Sequence, residues 1–184
     1  MKIIGGDAKG RPIPLPRGCR IRPTAERVKK SLFDILHPIA GKSFLDLFAG
    51  SGNIGLEALS RGACFANFVE TNMHLVKTIQ AALDQLGFSE RAEVINVDTE
   101  RGLEYLFHRG SRFDILFADP PYDEGLVWRT LQWLEKEDVL KKDGIVVCQH
   151  SVREELKGLQ VEAYVIADQR CYGDTMLSFL HKSG

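Results

Sequence analysis

A chain of 184 residues with 44% apolar and 27% charged residues has the length and composition of one ordinary globular domain, able to bury its apolar surface without disulfides or a structural metal. No apolar run approaches the roughly 20 residues that cross a bilayer, and the start, Met1-Lys2-Ile3-Ile4-Gly5-Gly6, lacks the apolar region and small-residue cleavage site of a secretory leader, so no membrane is expected and the expected compartment is the cytoplasm. The net charge of -1 is unevenly placed, with residues 1–30 carrying nine Lys/Arg against Asp7 and Glu26, a local +7, and the remainder carrying -8; a basic arm on an acidic body suits a nucleic acid partner, because phosphate neutralisation supplies much of such affinity.

In chain order, residues 1–22 are rich in Gly, Pro and Arg with short β-type runs at Ile3-Ile4, 13–15 and 20–22, which predicts an extended or hairpin-like arm. Thr24 then caps a helix on which Val28, Leu32, Ile35 and Leu36 fall at helical spacing, with Glu26 in the first turn and Pro38 ending the run. Composition changes near Gly41, dividing a basic arm and helix over 1–40 from a larger domain over 41–184. Beyond that point short apolar runs alternate with amphipathic stretches. Strands are expected over 43–47, 65–69, 92–97, 113–118 and 144–149, and helices over 53–61, 74–86, 99–107 and 126–135, with Gly62 and Gly87 as C-terminal caps. Such a βαβ series predicts a mostly parallel α/β sheet, with its ligand at the carboxyl ends of the strands. The tail departs from it: 160–166 and 175–181 read as two strands joined by a tight turn at Gly173-Asp174. Cys19, Cys64, Cys148 and Cys171 are widely spaced, with no His/Cys cluster suited to zinc; no metal is expected and the thiols read as buried or idle.

The first strand runs into Asp46-Leu47-Phe48-Ala49-Gly50-Ser51-Gly52-Asn53-Ile54-Gly55, a literal G-x-G-x-x-G. Glycines at 50 and 52 let the backbone turn sharply and let a ligand approach the next helix, and Glu70, 20 positions after Gly50, stands where a carboxylate accepts both ribose hydroxyls. To this point a nicotinamide dinucleotide and S-adenosylmethionine fit alike. Asp46 separates them: a carboxylate at the end of the first strand would repel a pyrophosphate but favour a cationic amino-acid moiety. Asp98, ending the third strand, can accept the adenine amino hydrogens. The expected cofactor-binding set is Asp46, Phe48, Gly50, Ser51, Gly52, Asn53, Glu70, Thr71, Asp98 and Thr99. Taken singly, each carboxylate could equally be a helix cap.

The fourth strand ends in Asp119-Pro120-Pro121-Tyr122. Two prolines hold a rigid turn without backbone donors, so the Asp119 carboxylate and the Pro120 carbonyl can take the two hydrogens of a base NH2, while Tyr122 offers a face for stacking. Acceptors on those hydrogens favour the pyramidal amine that attacks a sulfonium methyl, and positioning does the rest without a metal. Asp119, Pro120, Pro121 and Tyr122 are the expected catalytic residues.

These residues resemble the ribosomal small-subunit methyltransferase D family, which methylates N2 of one guanine in 16S ribosomal RNA. The resemblance rests on Ile3-Ile4-Gly5-Gly6 with Lys9-Gly10-Arg11, Arg22-Pro23-Thr24 with Arg27-Val28, 45–52, 55–63, Val69-Glu70, 119–122, and Arg170 with Tyr172-Gly173-Asp174-Thr175. The glycine loop and D-P-P-Y recur across amino-methylating enzymes, so the arm and the R-P-T segment carry the RNA assignment. The resemblance implies a Rossmann-like class I S-adenosylmethionine-dependent methyltransferase with a seven-stranded sheet whose last strand is antiparallel. It also implies a monomer acting on 16S ribosomal RNA within a whole or partly assembled small subunit, and substrate contacts from Lys9, Arg11, Arg22, Thr24, Arg27, Arg170 and Tyr172. Asn72, Ala82 and Glu26 depart from the family pattern, and none touches the expected chemistry. Competing readings are an adenine-N6 methyltransferase on DNA or RNA, for which D-P-P-Y suits equally but a recognition domain is missing; a nicotinamide-dependent oxidoreductase resting on the glycine motif; and a noncatalytic RNA-binding module, against which Asp119 and Tyr122 speak.

Overall fold

A computed structural model describes residues 1–14, 26–122, 124–154, 156 and 162–183. The chain is compact in two units, Met1–Asp98 and Thr99–Gly184. The first holds α1 (Glu26–Ile35), β1 (Ser43–Asp46), α2 (Asn53–Ser60), β2 (Phe65–Val69), α3 (Met73–Leu86), a 3-10 turn at Ser89–Arg91 and β3 (Ala92–Ile95). The second holds α4 (Thr99–His108), β4 (Phe113–Ala118), α5 (Leu126–Lys136), β5 (Leu140–Ser151), β6 (Tyr164–Tyr172) and β7 (Thr175–Lys182). The seven strands run in the order β3-β2-β1-β4-β5-β7-β6. β1, β2 and β3 pair in parallel, as do β4 and β5, whereas β7 pairs antiparallel with both β5 and β6. This is the α/β sheet that the sequence predicts, with an antiparallel last strand.

The central strands carry apolar runs, since a parallel strand is covered on both faces: Ile115, Leu116, Phe117 and Ala118 of β4 are all buried, as are Val146, Val147 and Cys148 of β5. Helix ends follow their caps. Asn72 accepts the His74 N–H at 2.9 Å to start α3, and Gly87, at φ 77°, ends it. Packing of α2 on β2 requires a hydrogen at position 55, because a Cβ there would lie 2.2 Å from Cε1 of Phe68. Gly55→Ala should therefore destabilise the fold. The helix-propensity gain of about 1 kcal/mol is outweighed by overpacking, typically ~1–3 kcal/mol, and urea denaturation with a lowered midpoint and unchanged slope is the expected reading.

Four expectations need correction. β3 stops at Ile95, so Asp98 lies three residues past the strand, immediately before α4. β5 starts at Leu140 rather than 144; its pairing jumps from Phe113↔Leu140 to Ile115↔Ile145, and the polar run Lys141-Lys142-Asp143, looped out in that jump, hides the strand's start in the sequence. β6 runs on to Tyr172, where no strand was expected, while residues 160 and 161 of the predicted strand lie outside the described residues. On α1 the buried face is Val28, Lys29, Leu32 and Phe33, and Ile35 is exposed. Phe33 takes the inward position, stacking on Phe44 of β1 with centroids 6.4 Å apart. Thr24, the expected cap, lies outside the described residues.

Of the extended or hairpin-like arm expected over 1–22, residues 15–22, with the predicted β-type run at 20–22, lie outside the described residues, and residues 1–13 form a hairpin: Lys2 and Pro12 bridge antiparallel, the Ile3 N–H donates to Arg11 at 3.0 Å, and the Ile13 N–H donates to Met1 at 2.9 Å. Ile3, Ala8 and Ile13 are buried, so it is docked on the body rather than loose. Its turn is fastened to α2 through Ser60, whose carbonyl accepts the Asp7 N–H at 2.8 Å and whose hydroxyl accepts the Ala8 N–H at 3.0 Å.

Candidate active site

In the first unit the loop between β1 and α2 is shaped by left-handed backbone at Gly50 (φ 54°) and Gly52 (φ 74°), the latter being the residue that starts α2. A Cβ at 50 would meet nothing nearer than the Phe48 carbonyl at 4.0 Å, so backbone conformation demands this glycine and space is left beside it for a ligand. Asp46 is buried and accepts the Gly55 N–H at 3.1 Å, doing for α2 what a capping side chain does. Glu70 accepts the Gly50 N–H at 2.7 Å through Oε2 and the Asn72 N–H at 2.8 Å through Oε1. One carboxylate thus fixes both the glycine loop and the entry to α3, and with about four acceptor positions it keeps capacity for a ligand. The Asn96 amide pins the same entry by donating to the carbonyls of Glu70 and Thr71 at 2.8 and 2.9 Å. Phe48 is half-buried; Ser51, Gly52 and Asn53 are buried; Thr71 is exposed. Asp98 is exposed and Thr99, which opens the second unit, is buried.

In the second unit Asp119 follows β4 directly and is half-buried; Pro120 is buried, Pro121 exposed and Tyr122 half-buried. The Tyr122 hydroxyl accepts from the Gln149 amide of β5 at 3.3 Å and shares a hydrogen bond with the Thr175 hydroxyl at 3.2 Å. Thr175 pairs with Tyr172 across the hairpin turn, so the structure brings the Tyr172–Thr175 segment to the D-P-P-Y tyrosine. Arg170, two residues earlier, is exposed and ion-paired with Asp168 at 2.8 Å. Gln149 is buried, and its Oε1 has no hydrogen-bond partner among the described residues.

The basic arm divides by environment. Lys9 and Arg27 are exposed. The Arg11 guanidinium donates to the carbonyls of Gln85 and, at 3.4 Å, Leu86, at the C-terminal end of α3. Lys29, counted in the arm's charge from sequence, is 1% exposed and ion-paired with Glu57 at 3.1 Å, so its charge does not reach solvent. Burial holds its ammonium below the usual lysine range, against the opposing pull of Glu57. Arg22 and Thr24 lie outside the described residues. Sequence reasoning missed Lys29, Glu57, Asn96, Gln149 and Thr175. Polar residues inside apolar runs were the available signal, above all Glu57 amid Ile54, Leu56, Ala58 and Leu59.

Among the described residues there is no group of His, Cys, Asp and Glu able to hold a metal, and no helix long and apolar enough to cross a membrane. Cys148 is buried, which pushes its thiol up to about 12; Cys64 and Cys171 are exposed, and Cys19 lies outside the described residues.

The model of the family described as Conserved hypothetical protein 95 matches residues 1–181. Ribosomal RNA small subunit methyltransferase D of Escherichia coli K12 is 35% identical over 83% of this chain and 75% of its own length. The chain belongs to the ribosomal RNA small subunit methyltransferase D family. The family's Haemophilus influenzae member is 36% identical over 79% of this chain and 76% of its own. A solved structure from Escherichia coli superposes with a TM-score of 0.87 at 29% identity, covering 100% of this chain and 98% of that one. A hypothetical protein of Thermus thermophilus does so with a TM-score of 0.84 at 31% identity, covering 98% and 99%. The match reaches from the docked hairpin to β7, so the hairpin is part of the family's common structure.

Proposed function

We propose that this protein transfers a methyl group from S-adenosylmethionine to the exocyclic N2 amine of a guanine in 16S ribosomal RNA, in the cytoplasm and as a monomer, with a whole or partly assembled small ribosomal subunit as substrate. The observation that carries the reading is the Asp119-Pro120-Pro121-Tyr122 turn at the end of β4, its tyrosine held by Gln149 and Thr175, in a chain of a family whose named members are ribosomal RNA methyltransferases. Residues 1–40 serve RNA binding and residues 41–184 the chemistry.

The cofactor supplies an electrophilic sulfonium methyl. Around it the residues have the chemistry such a cation calls for. Asp46 ends β1, Glu70 follows β2 and Asp98 lies three residues past β3; together they supply negative charge, while the glycine loop leaves room beside Gly50. Phe48, Ser51, Gly52, Asn53, Thr71 and Thr99 complete the cradle; Glu70 takes the ribose hydroxyls and Asp98 the adenine amine. The Asp119 carboxylate and the Pro120 carbonyl accept the hydrogens of the guanine amine, so that its lone pair is available for in-line attack, and Tyr122 stacks on the base. Lys9, Arg22, Thr24, Arg27, Arg170 and Tyr172 hold the RNA, while Arg11, expected from the sequence to join them, is engaged by the carbonyls of Gln85 and Leu86 and fastens the hairpin to α3.

Incubation with labelled cofactor and small subunits lacking their own methylation, followed by mapping of the labelled base, tests the reading. Label on a guanine as N2-methylguanine is expected; label on adenine, or on protein, would replace it. Glu70→Ala should raise the dissociation constant for S-adenosylhomocysteine by about ten- to a hundredfold, because each lost hydrogen bond to a charged group is worth ~1.5–3 kcal/mol. Turnover at saturating cofactor should change much less. Unchanged affinity by calorimetry would remove Glu70 from the cofactor site.

A further inference from the structure

A buried cation lies beside the glycine loop, and the proposed chemistry does not use it. Lys29 sits on α1 with its ammonium 3.1 Å from Glu57 Oε2, 2.8 Å from Asn53 Oδ1 and 2.9 Å from the Lys2 carbonyl. An ammonium has three N–H donors, and each of these acceptors takes one. Glu57, wholly buried, is in turn filled by the Ile4 N–H at 2.9 Å and the Arg61 guanidinium at 2.8 Å. An ion pair that merely clamped α1 to α2 would need Glu57 alone. The Asn53 contact instead reaches the first residue of α2, directly after Gly52, in the loop that faces the proposed cofactor.

We propose that Lys29 is a positioning residue for the cofactor, acting through Asn53. With Oδ1 engaged by a cation, the Asn53 amide cannot turn over, so its NH2 is committed as a donor beside the N–H groups that open α2. That is the polarity needed by an anion such as the carboxylate of the cofactor's amino-acid end. The proposal rests on the cofactor reading above.

The test is a double-mutant cycle read by calorimetric binding of S-adenosylhomocysteine, with thermal melting recorded for every variant. Lys29→Met and Asn53→Ala should each weaken binding about tenfold, and the double variant should be no weaker than the worse single one, a coupling of roughly 1.4 kcal/mol. Because Lys29→Met removes one of the two cations on buried Glu57, leaving only Arg61 at 2.8 Å, Lys29→Met/Glu57→Gln is the second variant: it removes the buried charge as well, the glutamine oxygen still accepts the Ile4 N–H, and Asn53 loses its cation as before. It should fold and show the same tenfold loss. Unchanged affinity in folded variants, or losses that multiply in the Lys29/Asn53 double variant, would overturn the role of Lys29, leaving a structural ion pair. Failure of the wild-type protein to bind S-adenosylhomocysteine would instead overturn the cofactor reading, and this proposal with it.

Discussion

Asp119→Ala should lower methyl transfer by two to four orders of magnitude while leaving affinity for S-adenosylhomocysteine within about twofold. The magnitude follows from what the side chain is asked to do. An acceptor that orients and withdraws from an attacking group typically contributes about 10²–10⁴-fold, and a misplacement near 1 Å costs about a hundredfold on its own. Removing the carboxylate should spare the fold, because Asp119 is half-buried at the end of β4 while the turn is held by other groups: Pro120 is buried, and the Tyr122 hydroxyl is tied to Gln149 and Thr175. Single-turnover methylation with saturating cofactor isolates the step. Turnover within threefold of wild type, less than about 0.7 kcal/mol by the usual arithmetic, would make Asp119 a turn residue and leave the amine to be oriented by the Pro120 carbonyl alone.

Much of this architecture was written in local pattern. The parallel strands are mostly apolar, and the boundaries of β2 and β4 match the sequence expectation residue for residue. Gly50, Gly52 and Gly55 were legible because each has a backbone or packing reason of its own. The expectations failed where pairing, not periodicity, decides. The start of β5 contains Lys141-Lys142-Asp143, a polar run that the strand tolerates only because it is looped out against β4. The polar groups that hold the sites in place were less legible still. Glu57 and Lys29 are charged residues within helices, and sequence treats such residues as solvated until their partner is known, although every residue of α2 around Glu57 is buried. Ile35 and Phe33 show the same limit, since helical spacing names the stripe but not which of its edges turns inward. The clustering of Tyr172, Thr175, Gln149 and Tyr122 depends on segments far apart along the chain coming together, which no local window contains.

Replacing Lys9, Arg11, Arg22 and Arg27 with Gln should weaken binding to small-subunit RNA by about a hundredfold at roughly 0.1 M salt. It should also flatten the dependence of log affinity on log salt by roughly two units. Four phosphate contacts would give roughly 0.7 unit each for unpaired RNA, and the structure argues for fewer. Arg11 is occupied by the carbonyls of Gln85 and Leu86 at the end of α3, whereas Lys9 and Arg27 are exposed. With Arg22 as the third contact, three times roughly 0.7 is about two units, which at about 0.1 M corresponds to about two decades of affinity. Arg11→Gln alone should accordingly leave the salt slope nearly unchanged and act through the hairpin's attachment to α3, a surface contribution of at most about 1 kcal/mol visible as a small fall in melting temperature. Lys29 is left in place in all these variants, because its charge is buried against Glu57 and does not reach solvent. Cofactor affinity should stay constant throughout, which separates loss of RNA contacts from damage to the glycine loop. Filter binding over a salt series for the wild-type, Arg11→Gln and quadruple proteins measures both quantities. A folded quadruple variant with wild-type slope and affinity would remove the arm from RNA recognition, and a steep loss on Arg11→Gln alone would place that guanidinium on phosphate rather than on α3.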